Sequence, residues 1–170
     1  AKGMSTLKQH FQRRFLLDVL PADLKLSDPH LQITEYLPEF DEFLIRRIRD
    51  TKLRLVKTFL EFITPSEQSG TELLTVRTEE VENSTAESRI GSNDSIELRF
   101  NRYQSKTGDV TIFVDVFLGT LNGGVITATL TSENAGQLRD VTIEKCVELA
   151  PYYNYRLIVE SKAGIRGKKR

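Results

Sequence analysis

Apolar positions recur at a spacing near four over the first part of this chain and near two beyond residue 70. Leu7, Phe11, Phe15 and Val19 follow one another every four residues, with Leu16 and Leu20 beside them. That spacing predicts a helix from Ser5 to Leu20, capped by Ser5 or Thr6 and stopped by Pro21. The stretch from Pro21 to Leu37 reads as irregular chain with a short helical turn at Asp28-Pro29, or with a strand over Leu31–Thr34. A second, longer helix is predicted from Pro38 to Ile63. It opens on Glu39, Asp41 and Glu42 and turns basic towards its end, an order that suits the helix dipole. Its apolar residues, among them Leu44, Ile48, Val56, Phe59 and Leu60, fill about half the circumference on a helical wheel. An arc that wide implies burial against more than one neighbour. Arg46, Arg47, Asp50, Arg54 and Lys57 form the opposite ridge, while Arg49 and Lys52 fall within the apolar arc.

After the break at 64–70 the alternation is strand-like. Strands are predicted at Thr71–Val81, Ser95–Tyr103, Val110–Leu121, Val125–Ser132, Val141–Leu149 and Tyr153–Ser161. Polar loops lie at 82–94 and 133–140, with turns at Lys106–Asp109 and Asn122–Gly124. Val110–Leu121 is apolar on both faces, as a centrally placed, doubly covered strand would be. The expected fold is therefore α+β: N-terminal helices followed by an antiparallel β-sandwich-like domain of about six strands. The alternative is a single antiparallel sheet packed on the long helix. The expected organisation is a remnant at 1–3 before Met4, a helical region at 4–64, a linker at 65–70, a β domain at 71–162 and a basic tail at 163–170.

The segment Leu149-Ala150-Pro151-Tyr152-Tyr153-Asn154-Tyr155-Arg156-Leu157-Ile158-Val159 resembles the sixth strand of fibronectin type III domains. On that resemblance Tyr155 is a corner tyrosine bonding back to the upstream backbone, and the topology is a Greek-key sandwich. The chain departs from that pattern in having no Trp and only a short Gly-containing basic tail after the segment.

Composition narrows the functional classes. Lys+Arg and Asp+Glu are both 24 in 170 residues, without the basic excess of a dedicated nucleic-acid binder. One cysteine, Cys146, excludes an internal disulfide, and it reads as a packed thiol. No apolar run is long enough for a spanning helix and no signal-peptide pattern is present, so the default compartment is the cytoplasm. His10 and His30 both fall in the predicted helical part, away from Cys146, and no HExxH, paired CxxC or Walker loop occurs. Glu79, Glu80 and Glu82, with Asp94, are the acids that could gather around calcium, though acids at a strand end are usually solvated.

These features point to a non-enzymatic interaction or assembly module without cofactors, such as a component of an oligomeric, viral or phage particle. Its partner would be another protein or a second copy of the chain. The candidate interaction residues are Arg46, Arg47, Arg54 and Lys57 on the helix ridge, and Tyr152 as the exposed tyrosine. The competing expectations are a carbohydrate- or lipid-binding β domain using the loops 82–94 and 133–140, and nucleic-acid binding by the basic ridge and tail.

Overall fold

In the computed structural model the described elements are nearly all β. The structure describes residues 8–36, 44–50, 52, 55–65, 74–82, 96–119 and 124–148. Nine strands are present among them: β1 Lys8–Leu17, β2 His30–Tyr36, β3 Leu44–Asp50, β4 Leu55–Pro65, β5 Leu74–Val81, β6 Ile96–Thr107, β7 Val110–Leu118, β8 Ile126–Ser132 and β9 Cys146–Glu148. A single short helix, α1, spans Ala135–Arg139 among the described residues. The sheet runs β5-β4-β3-β2-β6-β7-β8-β1, and β1 pairs again with β5, so eight antiparallel strands close into a barrel. The first half of β1 pairs with β5 (His10 opposite Val76), and its second half pairs on the same side with β9 (Leu16 opposite Val147).

The expected N-terminal helices and sandwich are therefore corrected. Residues 8–17 are a strand, and the predicted helix over 38–63 contains the antiparallel neighbours β3 and β4. Closure explains why a sandwich is not formed. A barrel removes both sheet edges, and its curvature lets strands from the two halves of the chain share one cylinder. Val141–Leu149 contributes only the three residues of β9, and the predicted loop 133–140 contains α1. Tyr155 and the rest of the segment that resembles a fibronectin strand lie outside the described residues.

Alternation divides each strand between a lumen and an outer face. The main apolar core is on the outside. Phe15 and Leu17 of β1, Val110, Ile112 and Val114 of β7, and Ala128 and Leu130 of β8 pack there with Leu138 of α1. Each of these side chains larger than alanine contributes about 1.5–3 kcal/mol by leaving water. Two segments cover this wall. One is α1, whose N-cap Asn134 accepts from the Gly136 amide at 3.0 Å. The other is residues 18–29, which connect β1 to β2. Both strands run in the same direction around the barrel, so this connection must cross the outer wall from one rim to the other. It buries Leu24 and Leu26 against the core on the way. The Ser27 amide donates to the Gln104 carbonyl at 2.8 Å, and Ser27 Oγ accepts from the Gln104 amide at 3.0 Å, fixing the strap to the end of β6.

Arg13 clamps the whole outer layer. Its Nη1 donates to the carbonyls of Leu138 (2.6 Å) and Val141 (2.9 Å), while Nε and Nη2 hold the two oxygens of Glu148 at 2.9 and 3.0 Å. One side chain on β1 thus fastens α1, the segment after it and β9.

Candidate active site in the barrel lumen

Because the apolar core lies outside, the lumen is free to be polar. Along β1 the inward positions are His10, Gln12 and Arg14, the outward ones Phe11, Phe15 and Leu17. The inward positions of β8 are Thr127, Thr129 and Thr131, which lie directly across the ladder from Leu16, Arg14 and Gln12. His10, Gln12, Arg14, Thr129 and Thr131, together with Glu61 of β4, Arg102 of β6 and the rings of Phe59, Phe100 and Phe113, line a cavity of about 300 Å³.

Two guanidinium groups face this space. Arg14 is only 9% exposed. Gln12 Oε1 accepts from its Nε and Nη2 at 3.2 and 3.1 Å. That orients the Gln12 amide, whose Nε2 donates to His10 Nε2 at 2.9 Å. His10 accepts there, in the tautomer that carries its proton on Nδ1. The three β1 side chains are therefore a linked row from the rim inward. Arg102 is held differently. Its Nε and Nη2 donate to Asp115 Oδ1 and Oδ2 at 2.8 and 2.9 Å, a bidentate fork on a carboxylate with no exposure. Its guanidinium carbon stands 4.3 Å from the ring centre of Phe113 and 5.2 Å from that of Phe100, which confines it to one plane.

Further buried polar groups continue this interior. Asp50, 3% exposed, accepts from His30 Nδ1 (2.8 Å), Gln32 Nε2 (3.1 Å) and the Lys52 amide (3.1 Å). The Thr127 hydroxyl and Gln32 Oε1 are buried without a hydrogen-bond partner. Buried polar atoms are nearly always satisfied, so such atoms mark a place where water or a ligand atom completes the structure. Among the described residues no group of three or more His, Cys, Asp or Glu side chains could hold a metal ion. Asp115 and Asp50 are already engaged by protein donors.

Of the interaction residues expected from sequence, Arg46, Arg47 and Lys57 fall on strands and not on a helix. Arg46 and Arg47 are successive positions of β3, whose backbones pair with Phe59 and Thr58 of β4, so the helical ridge that united them does not exist. Lys57 lies on β4 and pairs with Glu80 at 3.6 Å, in a largely exposed contact worth less than about 1 kcal/mol. Arg54 and Tyr152 lie outside the described residues. Of the two candidate loops, residues 83–94 of the loop 82–94 likewise lie outside them. In 133–140, Leu138 is consumed by the core, and Gln137 bonds both the amide and the carboxylate of Asp109. Glu80 is the partner of Lys57 rather than part of a cation cluster.

Cys146 is a packed thiol on β9, donating to the Ile143 carbonyl at 2.8 Å. Its pKa is raised, first by burial and then by the charge of Glu148, against an opposing effect of Arg13. It is a poor nucleophile in this setting. The residues that sequence reasoning missed are those of the lumen. Their signal was the strict alternation of His10, Gln12 and Arg14 with Phe11 and Phe15, and of Thr127, Thr129 and Thr131 with Ala128 and Leu130.

No protein-family model matches the chain, and no curated protein sequence matches it. Solved structures do. A conserved hypothetical protein from Pyrococcus furiosus superposes with a TM-score of 0.54 at 15% identity, covering 87% of this chain and 99% of that one. The PH1819 protein of Pyrococcus horikoshii gives 0.52 at 14% identity, covering 95% and 99%. Identities this low speak to the barrel fold alone. The inorganic triphosphatase NE1496 is also similar, at a TM-score of 0.47 and 17% identity over 88% of this chain and 97% of that one.

The expectation of a chain that is not an enzyme is corrected here. It rested on the lack of convergent polar groups, and the closed barrel gathers them from distant strands. The sandwich gives way to the closed barrel, and the structural, assembly-forming role loses the helix face on which it was argued. No described helix is long and apolar enough to cross a membrane.

Proposed function

We propose that the lumen is the active site of a hydrolase for compact phosphate-bearing substrates, with phosphoanhydrides as the substrate class. The observation that carries this reading is the convergence of Arg14 and Arg102 on one cavity walled by threonine hydroxyls and phenylalanine rings. Guanidinium forks match the oxygen spacing of phosphoryl groups, and each is pre-oriented here, Arg14 by Gln12 and Arg102 by Asp115. The rings displace water, which strengthens every charged contact inside and suits a transition state that spreads negative charge over phosphoryl oxygens. A volume of about 300 Å³ lies at the lower end of small-molecule sites, which favours a short chain of phosphates over a bulky ligand.

The described lumen offers no preformed cage for a metal ion. Magnesium commonly binds through one or two carboxylates together with the substrate's own phosphates, and Glu61 is the lumen carboxylate placed to share in that. The test is phosphate release from inorganic tripolyphosphate and from nucleoside triphosphates, with magnesium or manganese present, beside calorimetric titration of tripolyphosphate. Release that falls at least about a hundredfold in Arg14→Gln, with unfolding unchanged, supports the assignment. Failure of every phosphoanhydride to bind or to be cleaved refutes it.

A further inference from the structure

The lower rim, where β1, β2 and β7 begin and β6 and β8 end, carries a second concavity of about 640 Å³, lined by other residues than the lumen cavity. Three different connections bring cations to it. The strap supplies Lys25 and is held by the Ser27–Gln104 pair of bonds. The segment after β3 supplies Lys52, and the end of β6 supplies Lys106. All three lysines are exposed, and none forms an ion pair among the described residues. Elsewhere on this neutral chain the basic side chains are repeatedly matched: Arg13 with Glu148, Arg49 and Arg99 with Glu97, Lys57 with Glu80, and Arg102 with Asp115. Among the described residues Asp28 is the one carboxylate on the wall of this cavity, so their local balance is positive.

The concavity also has a built polar centre. His30 lines it, and its Nδ1 is taken by Asp50 at 2.8 Å, which leaves Nε2 as the nitrogen able to meet a ligand. The same carboxylate accepts the Lys52 amide at 3.1 Å. One buried acid therefore fixes both the imidazole plane and the backbone that carries a lysine. An Asp that orients a His in this way serves directed hydrogen bonding, where a solvated charge patch needs no such support.

We propose that this rim cavity is a second binding site, distinct from the lumen, for a phosphoryl group. Lys25, Lys52 and Lys106 supply the charge, and His30 Nε2 supplies the directed contact. A phosphoryl group fits because it presents several acceptor oxygens and up to two negative charges to donors arriving from three sides. The proposal does not depend on the lumen reading.

Calorimetric titration of the intact chain with inorganic tripolyphosphate tests it. Two binding events are expected. The variant Lys25→Gln/Lys52→Gln/Lys106→Gln weakens one of them at least tenfold. His30→Gln weakens the same event about fivefold with all lysines in place, and Arg14→Gln leaves it intact. If the parent shows no Arg14-dependent event, the lumen reading is refuted while this one is spared. If the triple variant binds as the parent does, or if His30→Gln has no effect and the event simply fades with salt, the rim is a diffuse charge patch and the proposal is wrong.

Discussion

Replacing Arg102 by Met probes the lumen most directly. The substitution keeps a long side chain against Phe100 and Phe113 but removes both donors to Asp115, whose carboxylate has no exposure. Removing one partner of a buried ion pair costs about 3–5 kcal/mol, because the remaining charge stays out of water without compensation. The Arg102 side chain is 15% exposed and faces the cavity, so some water can reach the vacated place and the lower end applies, about 3 kcal/mol. For a chain of this size each kcal/mol moves the midpoint by about 2–4 °C, so thermal unfolding should fall by roughly 10 °C. The double variant Arg102→Met/Asp115→Leu should recover to within about 1 kcal/mol of the parent, since an apolar pair of similar volume has no charge to desolvate. Urea denaturation followed by circular dichroism measures all three proteins. A single-variant loss below about 1 kcal/mol, or a double variant less stable than the single, would show that the pair is solvated and that the lumen is not the low-dielectric chamber described above.

Further outcomes follow from other parts of the barrel. Arg13→Met removes four charge-assisted bonds, so hydrogen exchange should accelerate selectively in α1 and β9, with a global loss of about 2–3 kcal/mol; uniform acceleration would contradict the clamp. Gly108 opens the two-residue turn between β6 and β7 at φ +59°, where an added Cβ would also stand 3.2 Å from Gln137 Oε1. Gly108→Ala should cost about 1–2 kcal/mol in equilibrium unfolding, whereas no loss would mean the turn relaxes freely. Cys146, with its raised pKa, should react with a disulfide reagent more slowly than an unhindered thiol at the same pH. Its sign for stability follows. Above the usual thiol range, about pH 8.5, the unfolded chain has lost this proton while the folded chain keeps it, so stability declines as pH rises until the folded thiol also ionises. Cys146→Ser should remove that part of the slope.

Strands β5 to β8 were legible because alternation and turn residues coincide there, as at Gly108. The first strands were not, for a physical reason visible in β1. Phe11, Phe15 and Val19 are four apart, and four is a multiple of the strand period as well as close to the helical one. The same ambiguity produced the wide apolar arc over 38–63. In a barrel wall both faces of a strand accept apolar side chains, so Phe59 on the lumen side and Leu60 and Phe62 on the other fill a helical wheel without belonging to a helix. Arg49, awkward inside that arc, is on β3 and pairs with Glu97 of β6. The lumen residues could not be grouped beforehand, because Arg14 and Arg102 are 88 residues apart (102 − 14) and only closure brings them to one cavity.

The double pairing of β1 also sets a timetable for the chain. Its ladder neighbours are Ile126–Ser132 on one side and Leu74–Val81 with Cys146–Glu148 on the other. During synthesis from the N-terminus, Phe15 and Leu17 must therefore wait unpaired until more than a hundred residues have followed them, whereas Phe11 can meet Thr75 sooner. The hairpins β3–β4, β6–β7 and β7–β8 need only near neighbours and can form first. Closure by β1 is then the last event, and the apolar half of that strand is the segment a chaperone would meet on the unfinished barrel.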